Sequence, residues 1–559
     1  MKRYVFGFDF GTLSCRGVAV DLETGELAAT AEHAYKSGVI SGTMKHRPIR
    51  LKDEWFLQDP DDWEESMGIV SRTMLAQGNI LPEEVLAVGT DFTSCTLLPV
   101  KEDSTPLCRL EQYRDRPNAW PKLWKHHGAQ VYAERIEAYA KANTTWLKKY
   151  FGNSVSSEWV YPKILQVAEE DPDIYEEAAY FMEAVDYIVF MLTGNNTRNS
   201  GILGVNSFWT EERGYPDPQF AKALKPLMER VAETKLAGKI VKVGDCAGHL
   251  TKRAADLLGI TTKAVAAAGH SDGAVAGCGA GINKSGSMML VMGTSTCHQM
   301  MYRDFCSFDG VCSIAADGMV PGLYGYESGQ PATGDVFQWF ADHCVPQEYV
   351  RKAKQEGKSV LAFLGDLAEK LKPGESGLVA LDWLNGNRSI LSNYNLSGAI
   401  IGLTLETKPE EIYRALVEAN IFGSRRILEN YTENGVRISD IYAVGGIAGK
   451  SPWIMQMCAD VFHQEVRVPL IDNVPARGAA ACAAVALGKV DKISGCRDFE
   501  EASERLIPKG VRVYFPDAEQ SARYDRVYTY YRKLHDLFGA DDSFMKGLKE
   551  LRRDEADHE

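Results

Sequence analysis

Asp9 lies inside the run Val5-Phe-Gly-Phe-Asp-Phe-Gly-Thr12, which is otherwise apolar. Burying an unpaired carboxylate costs several kcal/mol, so Asp9 must meet a cation or sit at a strand end beside a cleft. Gly11, Thr12 and Ser14 follow it with backbone and hydroxyl donors. The set reads as a carboxylate that holds Mg²⁺ through water, next to a turn that grips phosphate. The plainer reading is an aspartate capping a tight turn. Gly293-Thr294-Ser295 presents the same donor-rich turn about half the chain later. Two such turns facing each other would clamp a polyphosphate.

Three further places carry chemistry. Asp272, in Gly269-His-Ser-Asp-Gly273, stands among small residues that leave room for a ligand. It reads either as a helix N-cap or as a general base that takes a proton from a hydroxyl attacking phosphorus. Glu327, in GLYGYESGQ, is expected in a Gly- and Tyr-rich loop suited to recognising hydroxyls, or in a plain turn. Gly445-Gly446 precedes Ile447-Ala-Gly-Lys450-Ser451, but the first glycine of a P-loop would have to fall on Val444. What remains is strand, Gly-Gly, helix start, where a base or ribose can approach the backbone. GCGAG at 277–281 likewise misses the dinucleotide fingerprint. Trp55, Trp63, Trp120, Trp124 and the pair His126-His127 read as structural.

The elements that must position these residues alternate. RYVFGFDF (3–10), a Gly-Thr turn and RGVAVDL (16–22) predict a β-hairpin, followed by a turn into LAATAEHAY. SMMLVMGTSTCHQMMY (287–302) repeats that design, so the chain is read as two related halves, each opening with its own hairpin. Between and after them, helices are expected at 62–77, 122–142, 409–435 and 451–462, and strands at 85–92 and 441–446. This is an α/β class with mixed sheets. The division is placed at 1–265 and 266–559, with no low-complexity linker, so the halves should enclose a cleft. The charged tail after about 535 is expected to fray at its end.

Composition sets the outer limits. A chain of 559 residues exceeds one growing core, and 45% hydrophobic with 25% charged residues is ordinary globular usage. The net charge of −14 argues against nucleic acid or anionic lipid as partner. No apolar stretch is long enough to span a membrane and the N-terminus lacks signal-peptide features, so no membrane partner is expected. The 12 cysteines show no metal-ligand spacing and read as reduced, buried thiols of a cytoplasmic protein.

The ordered blocks DFGT (9–12), GTDFTSCT (89–96), RDRPNAW (114–120), SSEW (156–159), GHSDG (269–273), GTSTCH (293–298), GYESGQ (325–330), LDWLNGNRS (381–389) and AVGGIAGKS (443–451) resemble the FGGY carbohydrate kinases, over residues 3 to 535. GTSTCH, GYESGQ and DWLNGNRS are most similar to its ribulokinase branch. The resemblance implies two actin-like, ribonuclease-H-like domains around an ATP and sugar cleft, and transfer of phosphate from ATP, with Mg²⁺, to the terminal hydroxyl of a ketopentose such as L-ribulose. By motif, Asp272 matches the catalytic base and Asp9 the Mg²⁺-linked acid, with Gly11, Thr12, Ser14 and Arg16 beside it. Gly293 and Thr294 match the second phosphate turn. Gly334, Gln338, Gly445, Gly446 and Lys450 match positions near the nucleotide, and Ser94, Asp272 and Glu327 match sugar contacts. Asn206 stands where the branch carries a sugar-contacting lysine, and asparagine brings a hydrogen bond without charge. Which pentulose or polyol is preferred (xylulose and ribitol included) therefore stays open, as do a homodimeric state and, in another class, an actin-like ATPase that acts on a partner.

Overall fold

The computed structural model describes residues 2–44 and 49–556. Strands β1 (Tyr4–Phe10), β2 (Ser14–Asp21) and β3 (Leu27–Ala34) form an antiparallel meander, and β4 (Val85–Phe92) lies parallel to β1 on its other side. The sheet continues through two strands that join β4 in parallel, β6 (Val265–Ala267) and β7 (His270–Ser271), with β5 (Cys246–His249) on the outer side of β6. All seven residues of β1 are buried, as expected for a strand covered on both faces.

The second half repeats this plan. β8 (Ser287–Met292) and β9 (Thr296–Tyr302) form the second hairpin. β10 (Ser313–Ala316) and β11 (Tyr324–Gln330) extend it, with β11 against β9. β12 (Asp440–Val444) joins β8 in parallel, then β13 (Val466–Pro469) and β14 (Val511–Tyr514) complete seven strands. In each half a hairpin, a third antiparallel strand and a parallel fourth strand recur in the same order, so the repeat read from the two hairpins extends through the sheets.

Helix α1 (Pro60–Gly78) starts at Asp59, whose side chain accepts from the Asp61 N–H, with proline in its first turn, and stops at Asn79 in the left-handed conformation. Two helices fill the space between the sheets: α2 (Asp272–Gly279) and the alanine-rich α3 (Val474–Val490). A Cβ on Gly7 would stand 1.9 Å from the Ala476 carbonyl oxygen, and one on Gly89 1.9 Å from that of Ala479. Gly279 and Gly478 allow the same approach of α2 to α3, a Cβ at Gly478 lying 2.1 Å from the Val275 carbonyl oxygen. Thus α3, from the second half in sequence, is pressed onto β1 and β4 of the first.

Some expectations change. The helix foreseen over 122–142 is confined to Gln130–Asn143, so His126 and His127 lie in the turns before it. His126 is buried against Gln166 and Trp55. The tail is helical over Ser543–Ala556, and the final residues, where fraying is expected, lie outside the described residues. All 12 cysteines are unpaired, but Cys344 is exposed and Cys246, Cys297, Cys306 and Cys312 are half-buried. Among the described residues, no helix is long and apolar enough to cross a membrane.

Candidate active site

Asp9 and Asp91 sit in register on the parallel strands β1 and β4. Both are buried, and neither Asp91 carboxylate oxygen has a hydrogen-bond partner. Burial pushes the Asp9 carboxyl up, against the Arg16 guanidinium 3.4 Å away. Burial first, then the charges of Asp9 and Asp272, push Asp91 well above the usual carboxylate range.

Asp272 opens α2, just past β7, which pairs with the end of β4. Its Oδ1 accepts the Gly273 N–H at 2.7 Å, and the Ser94 backbone N–H also favours its charged form. Burial and then Asp9 outweigh those donors, and its pKa is pushed up to about 7. A carboxylate at that value is half-ionised near neutrality and suited to accept a proton. Gly273 beside it packs against β9, where a Cβ would stand 2.9 Å from the end of the Gln299 side chain. Asp272 therefore lies where the first half meets the second sheet.

The second turn is built by three segments. Gly293 donates its N–H to the Ser295 carbonyl at 2.8 Å, and Gly334 donates to the Gly293 carbonyl at 3.0 Å. Thr294 accepts the Thr333 N–H at 2.7 Å. A Cβ on Gly334, the first residue of the helix Gly334–His343, would come 2.7 Å from the Gly293 carbonyl oxygen. Gly445 has φ +100°, and a Cβ there would stand 2.5 Å from the Met292 carbonyl oxygen. Next to it, Gly446 faces open space at the end of β12. Gly293, Gly334, Gly445 and Gly446 are thus gathered at the ends of adjacent parallel strands.

Family models for the FGGY carbohydrate kinases match both halves, the N-terminal domain over residues 4–279 and the C-terminal domain over 288–487. The chain belongs to the FGGY family of carbohydrate kinases. This kinase is 42% identical over 552 residues to a ribulokinase of Anoxybacillus flavithermus, covering 98% of this chain and 97% of the relative. It is 39% identical to a ribulokinase of Mycolicibacterium smegmatis, covering 98% and 96%. Among solved structures, a ligand-bound xylulose kinase from Lactobacillus acidophilus superposes with a TM-score of 0.77 at 19% identity, covering 96% of this chain and 99% of that one. A Plasmodium falciparum glycerol kinase with ADP gives 0.74 at 15%, covering 95% and 98%. These two likenesses establish the fold, two actin-like α/β domains.

Other residues of the kinase fall in unexpected places. The Ser14 hydroxyl donates to Glu32 at 2.7 Å, so it is spent within the sheet rather than on the first turn. Arg16 is shared between Asp9 and Glu32. The Thr12 hydroxyl accepts from the Trp124 indole at 3.1 Å, which ties a tryptophan read as structural to the first turn. Glu327 is in a strand, not a loop: it lies on β11 opposite Gln299 and Ser313, with β11 held between β9 and β10. Asn206 is wholly buried, its amide donating to Glu183 at 2.6 Å and accepting from Ser207. It stands behind Cys95 and Ser94, and the buried Lys163 donates nearby to the Cys95 carbonyl at 2.6 Å. Gln338 is exposed and donates to Asp342, and Lys450 is exposed. Asp91 was missed in the sequence, although Gly89-Thr-Asp-Phe92 repeats the pattern of Gly7-Phe-Asp-Phe10.

Proposed function

We propose that this kinase transfers the γ-phosphoryl group of ATP to the terminal hydroxyl of a ketopentose, converting L-ribulose to L-ribulose 5-phosphate in the use of L-arabinose. The observation that carries the reading is Asp272, which opens α2 beside Gln299 of the second sheet and whose carboxyl is pushed up to about 7 by burial and then by Asp9. A base so poised takes the hydroxyl proton as the oxygen attacks phosphorus, while the bond to ADP breaks. Phosphoryl transfer asks little covalent work of the protein beyond positioning and charge neutralisation.

The donor set also suits Mg²⁺. Among the described residues no group of three or more His, Cys, Asp or Glu is arranged to hold a metal. Mg²⁺, however, is commonly held by one or two carboxylates together with substrate phosphates. Asp9 and Asp91 would hold it, and the unpartnered oxygens of Asp91 are the buried polar atoms that such an ion satisfies. Bound there, Mg²⁺ supplies positive charge to the phosphates. Gly11 and Thr12 from the first half, and Gly293 and Thr294 from the second, would donate to phosphate oxygens, with Gly334, Gly445 and Gly446 leaving space for the nucleoside. Ser94, Glu327 and, through Glu183 and Cys95, Asn206 form the sugar side. Closure of the halves keeps water from the γ-phosphate.

The test is ADP release with L-ribulose, D-ribulose, xylulose, ribitol and no acceptor, with the product identified by ³¹P NMR. The highest kcat/KM is expected for L-ribulose. ADP release equal with and without every acceptor would overturn the reading in favour of an ATPase, and a clear preference for xylulose or ribitol would replace the substrate.

A further inference from the structure

A cavity of about 50 Å³ beside Glu327 lies between the halves. Ser156, Glu158 and Trp159 of the first half line it, with Glu327, Arg388 and Tyr394 of the second. It has room for one end of a small molecule, not for a whole sugar. Arg388 is held firmly there. Its neighbour Ser389 donates its N–H to the Gly329 carbonyl at 3.1 Å and accepts the Gly329 N–H on its hydroxyl at 3.1 Å, two residues along β11 from Glu327. Asn387 and Asn393 exchange two backbone hydrogen bonds that close the loop. Further back, Asp382 accepts from Gln330 and Asn420.

The Arg388 guanidinium stands 3.7 Å from the Glu158 carboxylate across the gap between the halves. At that length the pair is an electrostatic contact that leaves the N–H donors free of Glu158, while the guanidinium also meets the Tyr394 hydroxyl at the cavity wall. Burial raises the proton affinity of Glu327, which the same guanidinium lowers and the Glu158 charge raises. Gly273 lies against Gln299, Gln299 pairs with Glu327, and Glu327 and Arg388 line one cavity, so Asp272, Glu327 and Arg388 follow one another. A sugar whose terminal hydroxyl rests on Asp272 extends from the phosphates toward Arg388.

We propose that Arg388, drawn into the cavity by Glu158 of the opposite half, is a specificity-determining residue whose guanidinium fork reads the hydroxyketone end of the sugar. The neighbouring oxygens of a C1 hydroxyl and a C2 carbonyl match two parallel N–H donors, a geometry that a single ammonium point charge cannot reproduce. The assignment rests on the proposed ketopentose activity.

The experiment compares L-ribulose with 1-deoxy-L-ribulose, which lacks the C1 hydroxyl, in the unaltered kinase and in Arg388→Gln. For a hydrogen bond to a charged donor, the unaltered kinase should favour L-ribulose by about 10- to 100-fold in kcat/KM, mostly through KM. In Arg388→Gln that preference should shrink to about threefold or less, with Arg388→Lys between the two. A purely structural role would slow both sugars equally, and an unchanged preference in Arg388→Gln overturns the proposal. Should Arg388→Gln fail to fold, Glu158→Gln decides: the preference narrows if Glu158 draws the fork into place, and an unchanged preference refutes the assignment. Loss of turnover on L-ribulose by the unaltered kinase would instead defeat the ketopentose reading itself.

Discussion

Asp9 and Asp91 face the same end of the first sheet from paired positions on parallel strands, each two residues after a glycine and one before a phenylalanine. The glycines, Gly7 and Gly89, are also paired, and both admit the backbone of the alanine-rich helix Val474–Val490. Phe10 and Phe92 are paired too, with rings stacked 5.2 Å apart. One pattern used twice thus packs a helix behind the sheet, stacks two rings and sets two carboxylates side by side at the cleft. Like charges so close can be tolerated only where a cation or a proton joins them.

Replacement of Asp91 by Asn should act in two opposite ways. The raised pKa of Asp91 means that the folded state holds its proton more tightly than the unfolded chain does. Its stability cost is absent below the ordinary carboxylate range, grows as pH rises through it, and is complete above the raised value. Asp91→Asn should therefore raise Tm at pH 8 by about 2–4 °C, with the gain fading toward pH 4, as read by calorimetry. The same variant should need about tenfold more Mg²⁺ for half-maximal activity. A lower Tm at pH 8 would contradict the electrostatic account.

Asp272→Asn should lower kcat by about a hundredfold or more while sugar binding is largely kept. Steady-state rates paired with calorimetric titration of L-ribulose make the comparison. Near-normal turnover would remove Asp272 from the role of base.

A base raised to about 7 also predicts a pH profile. The ionised form is the active one, so log kcat/KM should rise with a slope near one below pH 7 and level above it. Bound Mg²⁺ favours the ionised form and the negative phosphates oppose it, so the displacement of the break in kcat from that in kcat/KM reports which of the two lies nearer Asp272. A flat profile between pH 5.5 and 8 would argue against Asp272.

Gly334→Ala places a Cβ against the Gly293 carbonyl at 2.7 Å, and the contact is backbone, which cannot swing aside. The Gly293–Ser295 turn, proposed to grip phosphate, must shift, so the KM for ATP should rise about tenfold, equivalent to roughly 1.4 kcal/mol. The KM for the sugar, on the far side of Asp272, should change much less. Initial rates at varied ATP and varied sugar separate the two.

Much of this protein can be read from residue order alone. The two hairpins follow from apolar runs broken by Gly-Thr and Gly-Thr-Ser, and α1 from Asp59, Pro60 and Asn79, because turns and caps are local chemistry. Asp9 and Asp272 were legible as acids out of place among apolar or small neighbours. Where local signals were weak, the reading failed. Glu327 was assigned to a loop because glycine and tyrosine blur the alternation of a strand that is held mainly by its neighbours on both sides. Ser14 reads as a phosphate donor because nothing nearby in sequence reveals Glu32 on the adjacent strand, to which its hydroxyl donates.

Residue order by itself determined the class, the duplicated hairpins and the acids that could do chemistry, since each depends on neighbours within a few positions. Only the tertiary structure decided that Asp91 stands beside Asp9, that Glu183 claims Asn206, and that Glu158 meets Arg388 across the cleft. Those pairings join residues far apart in the chain, and they exist because strand register and the packing of two central helices bring the halves together.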